Sequence, residues 1–538
     1  MRTLATKQTA INQYNGLGNQ LWDLSGQRPT LDLRFAEDRT LVDATTGSNL
    51  VDFTRQSSGT YVGSDGLIKT ATTNLLTYSE DWNSYHTTNN AAIDVDEVIA
   101  PDGTLTGDKI RCTGTASNTG FVQKLYTPSS ATSLEYTDSW YLKQGNTSET
   151  LVEIAASGGT YTFARGKIDW SVTPFVFTED SKTGGTTPTF HPIVDVGNGW
   201  YRVAITITAN SSTGISSRIY ASDRNSPVVG DYVYAWGAQQ EQSTTVGEYI
   251  PTTTAINSAP RFDHDPTTGE SLGLLIEESR TNLLLNSATL ATQNVTVTAI
   301  AHTLSFYGTG TVTLSGAHSA TLVGTGAYPS RATLTFTPTA GTLTVTVSGT
   351  VEYANLEIDA GGLGASFSTS YIPTEGSTVT RAADVASISG SNFSSWYRQD
   401  EGSIYSDFIR TYSGNFPNFP NIYNINDGTG TNRIAFFGGQ NAQFFRPQIT
   451  VSSSDQLNFV TLPSIVPGPN KAAHSFKLNA SDFSANGSVT AQDTSVSIPT
   501  VTTMNIGVGF GQQFTGCLRR LTYWPSKLAA STLQTITQ

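Results

Sequence analysis

The sequence predicts an all-β protein: tandem antiparallel β-sandwiches of jelly-roll type, joined by short connectors, with very little helix. Three observations predict it. Period-two alternation recurs along the chain, as in "WYRVAITITA" (200–209), "VTLSGAHSATLV" (312–323) and "ATLTFTPTAGTLTVTVSG" (332–349). The residues that alternate are Thr, Val, Tyr and Phe, which suit half-buried pleated strands, and Gly, Asn and Asp clusters between them suit turns. Strand-like runs return at roughly eight- to twelve-residue spacing with no helical period between them, which favours sandwiches over a parallel α/β sheet. At 538 residues the chain is too long for one core.

Composition divides it in order. Residues 1–72 form an irregular lead with the strand-like fragments "LDLRF" (31–35) and "VDFT" (51–54). Residues 73–256 form a large sandwich. Residues 257–280 are a polar connector with an Asp-Pro turn and a short apolar strand. Residues 281–378 form a smaller sandwich rich in Thr and Gly, and residues 379–538 a more aromatic third one. Two places read as helical. One is residues 2–15, a short polar helix or an extended arm. The other is "SKLAASTLQTIT" (526–537), which puts Leu528, Leu533 and Ile536 near one face.

One opening phrase occurs twice, "TNLLTYS" (73–79) and "TNLLLNS" (281–287), and each module leaves through Tyr-Ile-Pro-Thr, at 249–252 and 371–374. In a jelly roll the first and last strands lie together. The repeated phrases are therefore expected to close each module, with Trp236 packing on Tyr249 in the first and Tyr353 on Tyr371 in the second.

Charge and cysteine content narrow the function. Acids outnumber bases 43 to 30, for a net charge of −13. Nucleic acid is thereby disfavoured as a partner, because phosphate binding needs clustered Lys and Arg. Two cysteines, Cys112 and Cys517, fall in different modules and read as unpaired, semi-buried thiols. With six scattered histidines they leave no zinc spacing. The first twenty residues lack the apolar core of a secretory signal, and no apolar run reaches the roughly 20 residues that span a bilayer. The expectation is synthesis in a cytoplasm with no membrane insertion.

Several phrases resemble bacteriophage virion proteins. "FTRQSSGTYVGSDGLIKT" (53–70), "PRFDHDPTTGESLGLLIEESRTNLL" (260–284) and "TSYIPTEGSTVTRAADV" (369–385) look like connectors of phage tail-fibre proteins. In such proteins the first two run on almost directly, which makes the first sandwich an insertion. That sandwich is similar to jelly-roll carbohydrate-binding modules through "PDGTLTGDKI" (101–110), "SWYLKQG" (139–145) and "GWYRVAI" (199–205). The last unit resembles concanavalin-like and laminin-G-like sandwiches through "FTGCLRRLTYWPSKLAASTLQTIT" (514–537). The resemblance implies a tail-fibre or spike subunit, located in the virion, that presents sandwiches for attachment to host-surface glycan. It implies a homo-oligomer, most simply a trimer, joined to other virion proteins through residues 1–50. A capsid-decorating protein of the same build and a glycan hydrolase are the alternatives.

No enzyme motif supports the hydrolase. A glycosidase needs two carboxyls roughly 5–10 Å apart in a groove. "DVDE" (94–97) reads as a solvated loop and "DHD" (263–265) as turn chemistry, while GxSxG, HExxH and phosphate loops are missing. The expectation is no catalysis and no cofactor beyond a structural calcium of the kind that jelly-roll binding modules hold. Its oxygen ligands would be Asn74, Glu80 and Asp231, with plain turn hydrogen bonds as the competing reading. Trp140, Trp200 and Trp236 lie in alternating phrases and read as core. Phe416, Phe419 and Tyr423, in the Pro/Asn-rich "NFPNFPNIYN" (415–424), read as a rim loop that serves either glycan stacking or packing on a neighbouring chain.

Overall fold

The computed structural model describes residues 20–84, 86–128, 131–183, 187–359, 365–411, 420–438, 445–457, 467–490, 492–510 and 512–538. The fold is all-β with antiparallel sandwiches, and three short helices occur among the described residues: Gln20–Ser25, Gly390–Ser394 and Ala530–Ile536. The chain forms two compact units. One comprises Gln56–Ser58 and Thr72–Ala259; the other comprises the chain up to Arg55, Gly59–Ala71 and Pro260–Gln538. The segment 2–15 lies outside the described residues.

The Thr72–Ala259 unit is a two-sheet sandwich. One sheet runs in the order Thr189–Phe190, Trp200–Thr208, Glu135–Lys143, Tyr232–Glu241, Gly107–Cys112, Ala91–Val98. The other runs Val176–Lys182, Thr162–Asp169, Glu149–Ser157, Gly214–Tyr220, Phe121–Tyr126, Thr87–Asn89. Alternation decides what lies between them. Trp140, Val152, Ile154, Ile205 and Ile219 face inward in one core with Trp82, and Trp140 Nε1 donates to Ser217 Oγ at 2.9 Å across it. Trp200 and Trp236 are buried as the alternation predicts, in a smaller cluster with Tyr141.

The other unit holds two sandwiches. The smaller packs Leu304, Phe306, Val345 and Leu356 between a five-stranded and a four-stranded sheet. The C-terminal one packs an eight-stranded sheet on a nine-stranded sheet. Residues 31–54, expected in a separate lead, are part of this C-terminal sandwich. Leu31–Leu33 pairs with Gly516–Trp524 in the register Leu31↔Tyr523, and Asp52–Thr54 pairs with Val385–Ser389. Leu31, Leu33, Phe35 and Val51 join the core of Phe408, Ile434 and Leu521. Fragments this short cannot bury a core of their own, so they add to ladders whose partners stand hundreds of residues away. The connector is likewise sheet: Arg261–His264 and Ser271–Ile276 extend the eight-stranded sheet beside Gly516–Trp524. Helix Ala530–Ile536 buries Leu533 and Ile536, which with Leu528 pack on Leu21, Tyr405 and Trp524. Cys112 and Cys517 are free and buried.

The repeated phrases close both modules by the same hydrogen bonds. Asn74 Nδ2 donates to the carbonyls of Ala238 and Ile250, and its Oδ1 accepts from the amides of Leu76 and Gln240. Asn282 Nδ2 donates to Ala354 and Ile372, and its Oδ1 accepts from Leu284 and Leu356. Ser79 meets the Tyr249 hydroxyl at 2.6 Å, and Ser287 meets that of Tyr371 at 2.9 Å. Arg202 bridges the Gly247 carbonyl and Ser139 as Arg331 bridges that of Thr369 and Ser305. The expected aromatic pairs form, Trp236–Tyr249 with centroids 4.7 Å apart and Tyr353–Tyr371 at 5.3 Å.

The connector phrases supply a buried ion network within one unit. Asp384 Oδ1 accepts from Arg55 Nη1 at 2.7 Å, and its Oδ2 accepts from Arg261 Nη2 at 2.6 Å and from the Glu277 amide at 2.9 Å. Glu277 Oε2 takes Arg261 Nη1 at 2.7 Å and Arg381 Nη1 at 3.0 Å. Each buried charge is thus paired, as its removal from water requires.

Candidate functional site

The residues that the sequence nominates do not assemble. Tyr423 stands in strand Asn421–Asn426, not in a loop, and is 1% exposed in the C-terminal core against Phe436. A ring held there cannot stack on a sugar, so its assignment to a binding rim is corrected. Phe416 and Phe419 lie outside the described residues. Asp427 and Gly428 make the hairpin turn that follows, with Asp427 Oδ1 accepting from the Thr429 amide.

The three proposed calcium ligands are also apart. Asn74 spends both ends of its amide on the strand Tyr232–Glu241 and the exit segment, near Ala238 and Gln240. Asp231 precedes the opposite end of that strand and accepts from Ser222 Oγ at 2.6 Å. Seven residues of extended chain between positions 231 and 238, at about 3.3 Å each, separate them by roughly 20 Å. One ion cannot join them. Glu80 accepts from the Tyr249 hydroxyl at 3.1 Å, and burial raises its carboxyl. No group of three or more His, Cys, Asp or Glu arranged for a metal occurs among the described residues.

A different feature has the composition of a binding face. Where the inward residues of the six-stranded sheet in the Thr72–Ala259 unit form the core, its outward residues fall in three rows set by register. The central row is Arg165, Glu153, Arg218, Gln123 across four adjacent strands. Glu153 is 2% exposed although it lies on the outer side of the sheet. Its Oε2 accepts from Arg165 Nε at 2.9 Å, and its Oε1 from Arg218 Nη1 at 2.5 Å. Arg165 Nη1 reaches Asp180 at 3.2 Å, and Arg218 Nε donates to Gln123 Oε1 at 2.5 Å. The row's two guanidinia are balanced by Glu153 and by Asp180 of the neighbouring strand Val176–Lys182.

On one side stand Phe163, Ala155, Ser216 and Leu125, and on the other Lys167, Leu151, Tyr220 and Phe121. Ala155 and Ser216 are small and buried, so on that side the accessible surface belongs to the larger Phe163 and Leu125 that flank them. Aromatic rings fix the guanidinia: Arg165 lies 5.3 Å from the Phe163 centroid and Arg218 lies 5.3 Å from that of Phe121. Tyr161 is 48% exposed and packs on Phe163 at 5.8 Å. Burial and the Glu153 carboxylate push its phenol up, so at neutral pH it remains a hydroxyl donor. Leu125 is 51% exposed. Four strands at about 4.8 Å give a face some 14 Å wide. With Lys167 paired to Glu149 at 3.5 Å, it offers rings, apolar surface and charges that are each met by an opposite one.

The same alternation that predicts the sheet carries the signal for this face. In "TYTFARGKID" (160–169), Tyr161, Phe163, Arg165 and Lys167 share one side, while Ala164, Gly166 and Ile168 share the other. The large residues are on the outside there, contrary to the usual reading of alternating aromatics as core.

No protein-family model matches the chain, and no curated protein matches it. Among solved structures it is similar to the CBM40 of Ruminococcus gnavus IT-sialidase bound to α2,3-sialyllactose, at 18% identity over 26% of this chain and 84% of that one, TM-score 0.22. It is similar to domain 4 of AbnA, a GH43 extracellular arabinanase from Geobacillus stearothermophilus, in complex with arabinotriose, at 12% identity over 32% and 84%, TM-score 0.24. It is also similar to domains LG4-5 of the mouse laminin α1 chain, at 11% identity over 78% and 92%, TM-score 0.20.

Proposed function

We propose that this chain is a non-enzymatic virion structural protein of a bacteriophage, a tail-fibre or spike subunit, and that the outer face of its six-stranded sheet holds host-surface glycan. The observation that carries the glycan reading is the row Arg165–Glu153–Arg218–Gln123 flanked by Tyr161, Phe163 and Phe121, with the buried Tyr220 packed behind Phe121. Sugars present apolar ring faces edged with hydroxyls. Aromatic side chains meet the faces, and charged or amide groups already fixed by one another meet the hydroxyls without reorganising.

Two features support the display role. The connector phrases resemble those of phage fibres, and their charged residues meet in the Arg55–Asp384–Arg261–Glu277–Arg381 network. Further, the inserted module enters and leaves at one place: Thr73–Asn74 pairs with Asn257–Ser258, and the Ala259 amide donates to the Thr72 carbonyl at 2.8 Å. A module with adjoining ends is added to a frame without displacing it. A trimer fits this role, since linked copies of a weak site gain avidity; native mass measurement of a monomer at micromolar concentration overturns that part.

The test is adsorption of particles carrying Tyr161→Ala with Phe163→Ala, alongside a glycan array with the purified chain. Loss of binding at an unchanged unfolding temperature is the expected result, and undiminished binding overturns the site. Immunogold label at the tail is expected for the virion role. Label over the shell replaces it with a capsid-decorating one.

A further inference from the structure

The small sandwich leaves open an aromatic cluster that the Thr72–Ala259 module covers. Strand Tyr232–Glu241 bulges just past the pair Tyr141↔Trp236, and strand Glu352–Asp359 bulges just past the pair Tyr307↔Glu352. The next residue is Gly237 in one module and Tyr353 in the other, with φ 62° and 47°. Glycine adopts that left-handed conformation freely, and a bulky side chain seldom does. The small sandwich thus holds a tyrosine in strained backbone where the same frame elsewhere uses glycine. Bulges re-aim side chains, and strain of this kind gathers at places of use.

The rings of the two modules correspond. Trp236 packs on Tyr141 and Tyr249, with centroids 5.2 and 4.7 Å away, and Tyr353 packs on Tyr307 and Tyr371, at 6.3 and 5.3 Å. Their covers differ. Trp236 is 4% exposed, in a cluster closed by Val98, Ala100 and Trp200. Tyr353 is 37% exposed, and Tyr307 and Tyr328, 5.1 Å apart beside it, are half-buried. Trp236 Nε1 is spent on Thr106 Oγ1 at 3.0 Å, whereas the Tyr328 hydroxyl is enclosed and has no hydrogen-bond partner. Burial above all, with Tyr307 and Asp263 nearby, pushes Tyr328 up to about 12, so it stays a hydroxyl at neutral pH.

Rings this close meet edge to face, so they make a platform and not a cage around a cation. The charged groups near it, Arg331 and Lys69 against Asp65, Asp263, Asp265 and Glu352, hold more acid than base, which disfavours an anion. What the platform lacks is a partner with an apolar face for the rings and hydroxyls for the phenols. A sugar has both. We propose that Tyr353, Tyr307 and Tyr328 form a binding platform for a neutral saccharide, which covers these rings as Val98, Ala100 and Trp200 cover those of the other module. The site is in a different module from the six-stranded face and does not rest on the glycan reading of that face.

The experiment uses the full chain carrying Tyr161→Ala and Phe163→Ala, so that the six-stranded face does not contribute. Saturation-transfer NMR is run with cellotetraose, maltotetraose, chitotetraose and mannotetraose. Choline chloride, a hyaluronan tetrasaccharide and a decaproline peptide serve as the cationic, anionic and peptide alternatives. Transfer to at least one of the four neutral sugars is expected. Adding Tyr353→Gly, which gives the bulge the residue found in the other module, should weaken that sugar about fivefold. The unfolding temperature should change little, because relief of the strained backbone offsets the lost ring contacts. Adding Tyr328→Phe instead keeps the ring contacts, removes the enclosed hydroxyl, and should weaken the sugar about threefold. No transfer to any of the four overturns the proposal, as does unchanged affinity in either variant. So does tighter binding of one of the three alternatives that is lost in Tyr353→Gly, since the platform then serves a cation, an anion or a peptide.

Discussion

Asn282 Nδ2 donates to the Ile372 carbonyl at 2.9 Å, tying the opening phrase of the small sandwich to its Tyr-Ile-Pro-Thr exit. Asn74 and Ile250 are tied in the same way, also at 2.9 Å. An asparagine suits the place because it alone among short side chains presents two donors and an acceptor in one plane. Its donors satisfy two exit-side carbonyls and its oxygen satisfies two strand amides.

Asn282→Ala therefore strands four backbone groups in a site closed to water. Unmade buried hydrogen bonds cost about 1–3 kcal/mol each, with partial relaxation reducing the sum. We expect a loss of about 3 kcal/mol in the unit that contains the small sandwich, and a similar loss from Asn74→Ala in the Thr72–Ala259 unit. Urea unfolding followed by hydrogen exchange separates the two. A change below about 0.5 kcal/mol for either variant would show that the closure is redundant.

The connector network makes one unit sensitive to acid. Burial alone would raise the Glu277 carboxyl, but Arg381 and Arg261 outweigh it and hold the group down at about 2. An unfolded glutamate titrates near roughly 4.3. A depressed folded value means that the stabilisation is present above about pH 4.3 and is lost as pH falls toward about 2. At about 1.4 kcal/mol per pH unit the loss approaches about 3 kcal/mol. Calorimetry of the full chain between pH 6 and 2 should show this in one transition. Glu277→Gln should flatten that dependence while lowering stability at neutral pH, because two guanidinia then lack a full counter-charge.

Asp138 titrates in the opposite sense. Its carboxyl lies fully buried in the sandwich of the Thr72–Ala259 unit, and neither oxygen accepts a hydrogen bond in good geometry. Burial raises it well above the ordinary value. Below roughly pH 3.9 both folded and unfolded forms are protonated and nothing is lost. Above that, the unfolded chain ionises first, so stability declines as pH rises toward the folded value. Asp138→Asn should therefore stabilise this unit at pH 7 and remove the decline. If the variant unfolds at a lower temperature at pH 7, the carboxylate is being used in its ionised form.

The sequence made the fold class and the closing phrases legible because each rests on local pattern. Alternation marks a strand wherever one face is buried, and a repeated phrase marks a repeated job. It hid the partners of short fragments: nothing in "LDLRF" points to Tyr523, whose pairing with Leu31 spans almost the whole chain. It hid the role of "DVDE" too, where Asp94 is a strand residue paired with Lys109 and Arg111. The site failed for a different reason. Pro and Asn around Tyr423 suggested a loop, yet "IYNIN" continues a strand whose Ile422, Tyr423 and Ile425 all enter the core after a bulge beside Asn421. The outward aromatics at 161 and 163 were legible only as a pattern whose sides were exchanged.

That exchange gives a paired prediction for two tyrosines. Tyr423 is enclosed by the C-terminal core, and its removal leaves a cavity lined by Phe436 and its neighbours. Tyr423→Ala should cost about 3–5 kcal/mol, the range for large aromatic truncation in a packed core. Tyr161 has half its surface in water and packs chiefly on Phe163. Tyr161→Ala should cost about 0.5 kcal/mol or less in stability. In glycan binding the order reverses. A ring stacked on a sugar contributes on the order of 1 kcal/mol beyond its area, so Tyr161→Ala should weaken each site about fivefold, and more where linked copies act together. Tyr423→Ala, assayed below its lowered unfolding temperature, should bind glycan at the six-stranded face as the parent chain does. Should Tyr423→Ala abolish binding while the protein remains folded, and Tyr161→Ala leave it intact, the recognition surface belongs to the C-terminal sandwich and the aromatic face of the inserted module is only a covered sheet.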